Sequence, residues 1–219
     1  MVAKYILATA SLIGTLLFPN YQHGQAQDNR EKNPIVANID PVIYHMPAVT
    51  ITAKQDPQQE RWIRQTIGKT RGSRSCAFVA RKRSNTLELY CRGKLAESFH
   101  MELGWSPLED KLKEGDGATP EGRYSISRVR DIGQTSFYRA FLINYPTGQD
   151  RKEFRAARKA GLVDEDDSPG GLIEIHGRGG RGKNWTAGCM ALTDDEMDVL
   201  FKYVNAGKIR NRTPITIVK

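Results

Sequence analysis

The spacing of apolar positions changes several times along the chain. Residues 27–55 are polar, with scattered prolines and no clear period. The next stretch, "DPQQERWIRQTIG", places Trp62, Ile63, Thr66 and Ile67 on one helical face. Asp56 can cap that helix, Pro57 suits its first position and Gly68 can end it. From about Ser73 the runs shorten to "AFVAR", "LELYCRG", "KLAESFHMELG", "RYSISRV" and "SFYRAFLINYP". These β-branched and aromatic segments are punctuated by Gly, Pro, Asp and Asn, and they predict strands. "GGLIEIHG" and the closing "PITIVK" predict two more. Two stretches return to helical spacing. "DRKEFRAARKAG" predicts a helix capped by Asp150, with Glu153 three residues on and Gly161 at its end. "TDDE" reads as a capping box, Thr193 with Glu196. Met197, Leu200, Phe201 and Val204 then form a core-facing stripe that ends at Gly207. The pattern predicts a mostly β domain with a few α-helices.

The N-terminus reads differently. Lys4 precedes "YILATASLIGTLLF", fourteen uncharged residues. At about 1.5 Å per residue this run is too short for a hydrocarbon core roughly 30 Å thick. "GQAQ" offers a cleavage point after Ala26, which predicts a secretory signal peptide over 1–26, with an uncleaved anchor as the alternative. Residues 27–72 then form a flexible tether with a short helix, residues 73–219 form the domain, and no stable membrane span remains after cleavage. The formal charge of the 219 residues is +8, and residues 1–26 carry only Lys4, so the exported chain carries +8 − 1 = +7. A basic exported protein suits an acidic envelope polymer or an anionic membrane surface. No nucleic-acid motif is present and export argues against that partner. The expected location is the periplasm or cell envelope, which permits disulfides.

Three cysteines are present. Cys76 and Cys91 flank two strand-like runs joined by "KRSN", so they face each other across a hairpin and could be bridged. Cys189 is the odd one out. It follows a tight "TAG" turn, and His176 ends the strand before it. A thiol attacks as thiolate, so a catalytic cysteine needs a nearby base or positive field. The connecting loop carries Arg178, Arg181 and Lys183, and Gly177, Gly179, Gly180 and Gly182 let it fold back. Gly188 lets backbone N–H groups beside Cys189 approach a developing oxyanion. The same residues also fit an inert buried thiol and a solvated loop. "GRGGRGK" fails as a phosphate loop because Asn184 occupies the hydroxyl position. His45, His100 and His176 lack paired ligand spacing, so neither a metal nor a cofactor is implied.

"KEGDGATPEGRYSI", "INYP", "GGLIEIHG" and "WTAGCMALTDDEMDVLF" occur in that order, and together they resemble the L,D-transpeptidase catalytic domain (YkuD-like). The resemblance covers Cys76 to Lys219. It implies a β-rich sandwich or barrel-like fold, Cys189 as nucleophile and His176 as general base. Gly177 would position the base, and Gly188 would shape the oxyanion turn. Arg178, Arg181 and Lys183 could pair with substrate carboxylates or be ordinary surface charge, and Trp185, beside Thr186, could wall the groove or pack the core or the loop. "GDGATPEG" reads as scaffold, with Gly117, Pro120 and Gly122 as turn residues and Asp116 and Glu121 structural. The commoner family motif is Ser-His-Gly-Cys with an arginine after one further apolar residue. Here Thr186-Ala187-Gly188-Cys189 is followed by Met190-Ala191, which resembles a Trp-Thr-x-Gly-Cys subgroup. The implied reaction is acyl transfer from a peptidoglycan stem peptide through a thioester. A second stem or an envelope protein would supply the accepting amine. A hydrolase on the same scaffold and an inactive wall-binding module are the competing readings.

Overall fold

The computed structural model describes residues 56–219; the expected signal peptide and the tether up to residue 55 lie outside the described residues. Strands β1 (Cys76–Arg81) and β2 (Thr86–Cys91) form the first hairpin, and β3 (Lys94–His100) pairs antiparallel with β2. Asn85 closes the hairpin turn at φ 51°, a left-handed conformation that asparagine tolerates. Cys76 and Cys91 are register partners with Cα atoms 4.3 Å apart, and they form a disulfide.

Strands β4 (Gly122–Arg130), β5 (Ala140–Ile143), β6 (Glu174–His176), β7 (Met190–Ala191) and β8 (Pro214–Val218) complete the sheet. Its order is β3-β2-β1-β8-β4-β5-β6-β7. The β1–β8 and β6–β7 pairs are parallel and the rest antiparallel. The two outer strands of that order meet again through the bridges Glu102↔Ala191 and Gly104↔Thr186. The sheet therefore curls until its edges touch, which accounts for the barrel-like character. The inside is filled by Phe78, Leu87, Met101, Phe141, Ile175 and Met190, all fully buried.

Three helices are described: α1 (Pro57–Gly68), α2 (Gly148–Lys159) and α3 (Asp194–Asn205). Asp56 caps α1, whose Ile63 packs on Val79 and Val218, while Thr66 hydrogen-bonds Thr216 at 2.7 Å. None of the described helices is long and apolar enough to cross a membrane. Helix α3 starts with the Thr193/Glu196 capping box and buries Met197, Leu200 and Phe201. Helix α2 differs from expectation. Its N-cap is Thr147, and Asp150 is the third helical residue, returning a bond to the Thr147 N–H at 2.6 Å. An aspartate at that place completes the box as a glutamate would. Two strands are also shorter than expected. Tyr138 (φ 70°) and Leu172 (φ 55°) leave extended geometry just before β5 and β6 begin.

The connection from β3 to β4 is held by buried charges. Lys82 is fully buried, and its ammonium donates to the carbonyls of Glu109 and Thr119 (2.9 Å for the latter) and to Glu121 Oε1 at 3.1 Å. The Asp116 carboxylate accepts from the N–H groups of Leu112, Lys113 and Ala118 and from Lys111 Nζ at 2.8 Å. Both residues fix the loop that lies against the turn before Cys189.

Candidate active site

Two parallel strand ends build the site. Ile175 pairs with Met190 and His176 with Ala191, so Cys189 falls one step back, beside Glu174. The Glu174 N–H donates to Cys189 Sγ at 3.4 Å, and the thiol points to the Leu172 carbonyl at 3.5 Å. Side chains alternate along β6: Ile175 enters the core, and Glu174 and His176 share the other face.

His176 is 1% exposed. Phe137 stacks on its ring at 4.2 Å between centroids, and Trp185 meets it edge-on at 5.9 Å. Its Nδ1 lies 2.6 Å from the Gly177 carbonyl oxygen. A carbonyl only accepts, so Nδ1 carries the proton and Nε2 keeps its lone pair. That is the tautomer a general base needs.

The turn before the thiol is closed by one hydroxyl. Thr186, which is buried, donates to the Cys189 carbonyl at 2.7 Å and accepts from the Gly188 N–H at 3.1 Å. Gly188 sits at φ 126°, and a Cβ there would lie 2.6 Å from the Ala118 carbonyl oxygen. Only glycine fits.

Residues 75–217 match the family of L,D-transpeptidase catalytic domains. The chain belongs to that family. A relative, the putative L,D-transpeptidase YafK of Escherichia coli K12, is 24% identical over 140 residues, which is 62% of this chain and 50% of YafK. The helical cell shape determining protein Pgp2 of Campylobacter jejuni has a similar solved structure, 22% identical. It covers 73% of this chain and 55% of that one, with a TM-score of 0.48. An L,D-transpeptidase of Xylanimonas cellulosilytica is 12% identical over 65% of this chain and 60% of its own, with a TM-score of 0.41. The chain spans about half the length of YafK and Pgp2.

Within this L,D-transpeptidase domain, burial pushes the Cys189 thiol up to about 11. The Glu174 N–H and Lys111 work against that rise, and the Glu174 carboxylate adds to it. Burial also holds His176 below its ordinary value; the Gly177 carbonyl opposes this and Arg181 reinforces it. At neutral pH the pair is thus thiol and neutral imidazole. The Glu174 carboxyl is itself raised by burial, against the pull of Arg130.

The loop after His176 is pinned at successive backbone N–H groups. Gly177 donates to the Arg139 carbonyl (3.1 Å), Arg178 to Asp194 Oδ1 (2.7 Å) and Gly179 to the Leu192 carbonyl (2.7 Å). A Cβ at Gly177 would lie 2.5 Å from Asp194 Oδ1. The guanidinium of Arg181 covers the Trp185 ring at 3.4 Å, while Arg178 and Lys183 are exposed on the same loop. The disulfide lies at the far end of the β1–β2 ladder, apart from the site strands.

Several site residues escaped the sequence reading. Glu102, buried at the seam, accepts from the Gly182 N–H (2.6 Å) and Trp185 Nε1 (2.7 Å) and so fixes the indole that borders His176. Trp105 and Leu172, 55% and 73% exposed, belong to segments that meet the thiol turn by backbone: the Trp105 N–H donates to the Thr186 carbonyl, and the Leu172 carbonyl faces Cys189 Sγ. Glutamate and tryptophan in strand-like runs carry no catalytic signature of their own. Only the closure of the sheet brings them here.

Proposed function

We propose that this protein is an exported, cysteine-dependent L,D-transpeptidase that acts on peptidoglycan stem peptides in cell-wall crosslinking or remodelling at the periplasmic face of the envelope. The observation that carries this reading is a neutral imidazole with its Nε2 lone pair available, set on the strand end next to the one that presents a half-buried thiol. His176 Nε2 takes the thiol proton as Cys189 Sγ attacks the carbonyl before a terminal D-residue. The Cys189 N–H is the first oxyanion donor. The Gly188 N–H, shared with the Thr186 hydroxyl, is available only if that bond loosens as charge develops. The D-residue leaves as the amine, protonated by the imidazolium, and a thioester remains. An amine from a second stem or an envelope protein resolves it into an amide; water resolves it into an acid. The exposed Arg178 and Lys183, with Arg181 over Trp185, would draw the acidic polymer to the site, whereas Thr186 acts from below by closing the turn. This chemistry uses no metal or cofactor.

The test is mass spectrometry of products from the purified protein with tetrapeptide muropeptides, beside Cys189→Ala. Release of the terminal D-residue with a new crosslinked dimer, both lost in Cys189→Ala, is the expected result. Release without a dimer would assign the hydrolase. Equal release by both proteins would remove Cys189 from the mechanism.

A further inference from the structure

The face that carries Cys189 and His176 also carries an ion pair. Arg130 aligns with Ala140, and Ala140 with His176, so the three residues form one row across β4, β5 and β6. Residues in one row emerge on the same side of a sheet. Val129, beside Arg130, packs against the core on the other side. Arg130 Nη1 donates to Glu174 Oε1 at 2.7 Å, and Glu174 is buried. The N–H of the same Glu174 contacts Cys189 Sγ. Guanidinium, carboxylate and nucleophile are therefore successive neighbours.

Stability explains this pair poorly. A buried ion pair gains little over an apolar replacement, because desolvation offsets the attraction. A carboxylate beside a thiol that must ionise also opposes the chemistry. What the carboxylate does do is aim Arg130. A guanidinium has five N–H donors in a planar fork, and a substrate carboxylate can use those that Glu174 does not. The Arg130 side chain remains 25% exposed, open to such a ligand. The row continues from His176 to Ala191, the position where the commoner family motif has its arginine. A cation that β7 does not supply thus reaches the same face from β4.

We propose that Arg130, aimed by Glu174, binds the terminal carboxylate of the donor stem and so restricts Cys189 to the bond that joins a chain-terminal residue. This rests on the reading of the chain as an acyl-transfer enzyme on stem peptides. The attacked carbonyl and the terminal carboxylate belong to adjacent residues, about 3.8 Å apart by their Cα atoms. Glu174 joins thiol and guanidinium: its N–H meets Cys189 Sγ and its carboxylate meets Arg130. The loop cations act differently: they face solvent and attract the polymer without reading its end.

The experiment compares tetrapeptide donors ending in a free carboxylate and in a carboxamide. The wild-type protein prefers the acid by about tenfold or more in kcat/KM, the worth of one charge-assisted bond. Arg130→Gln treats the two donors alike, and Arg130→Lys, which keeps charge but not the fork, falls between. Glu174→Gln raises KM for the acid donor only, whereas a merely structural loss would raise both. A preference that survives in Arg130→Gln overturns the assignment. So does a wild-type protein that processes both donors equally, a result that needs no folded variant. A wild-type protein that processes neither donor removes the underlying reading before any variant is made.

Discussion

At the candidate site, burial favours the neutral forms of the Cys189 thiol and the His176 imidazole, and for the proposed mechanism this fixes a pH signature. Below the depressed value of His176 the imidazole is protonated and cannot accept the thiol proton. Activity is gained as pH rises through that value, so the acid limb of kcat/KM lies below the ordinary histidine value of about 6.5. No thiolate-driven rise follows until the pH nears the thiol's own value of about 11. An acid limb above pH 7 in steady-state kinetics would contradict the neutral pair. Glu102 gives a second prediction. Glu102→Ala strands the Gly182 N–H and Trp185 Nε1, a loss of about 3 kcal/mol by denaturant titration. With Trp185 loose beside His176, kcat falls further than KM rises. That the strand ends carrying His176 and Cys189 meet was legible from sequence, because the glycine-rich loop between them can fold back. Glu102 and Phe137 were not, because they act only by touching a group distant in the chain.

Caps and close approaches decide the elements. The Thr193/Glu196 box was legible because Ser/Thr-x-x-Glu before an apolar stripe has one reading. The Thr147/Asp150 box was misread because aspartate at the third helical position also looks like a cap itself. Thr193→Ala removes the acceptor for the Glu196 N–H and lowers stability by about 1 kcal/mol in thermal melts. A sharper test lies at the seam of the sheet. A Cβ at Gly104 would lie 1.9 Å from the Gly117 carbonyl oxygen, backbone against backbone. Gly104→Ala must force apart the two arms of the β3–β4 connection, at Gly104 and Gly117, and it also crowds the Gly188 N–H of the site turn at 3.1 Å. We expect a loss of about 3 kcal/mol or more together with lost activity. Unchanged melting of Gly104→Ala would refute that close approach. Gly104 only ended a strand-like run in sequence, since nothing local signals that Gly117, thirteen residues on, returns against it.

For the whole molecule, the β-rich character was readable from the short, punctuated apolar runs. The closure was not, because it depends on a two-residue strand, β7, and two isolated bridges. The disulfide ties the β1–β2 hairpin across a separation of 15 residues, worth about 3 kcal/mol by the loop-entropy argument. Its reduction should lower the melting temperature on the order of 6–12 °C while the site strands keep their pairing. The account as a whole turns on one covalent bond. The most direct test is intact-protein mass spectrometry of the enzyme quenched during turnover of a tetrapeptide donor, followed by peptide mapping. The account predicts a mass increase equal to the donor less the released D-amino acid, mapped to Cys189 and released by hydroxylamine. An adduct on any other residue, or donor turnover with no adduct at Cys189, would contradict it.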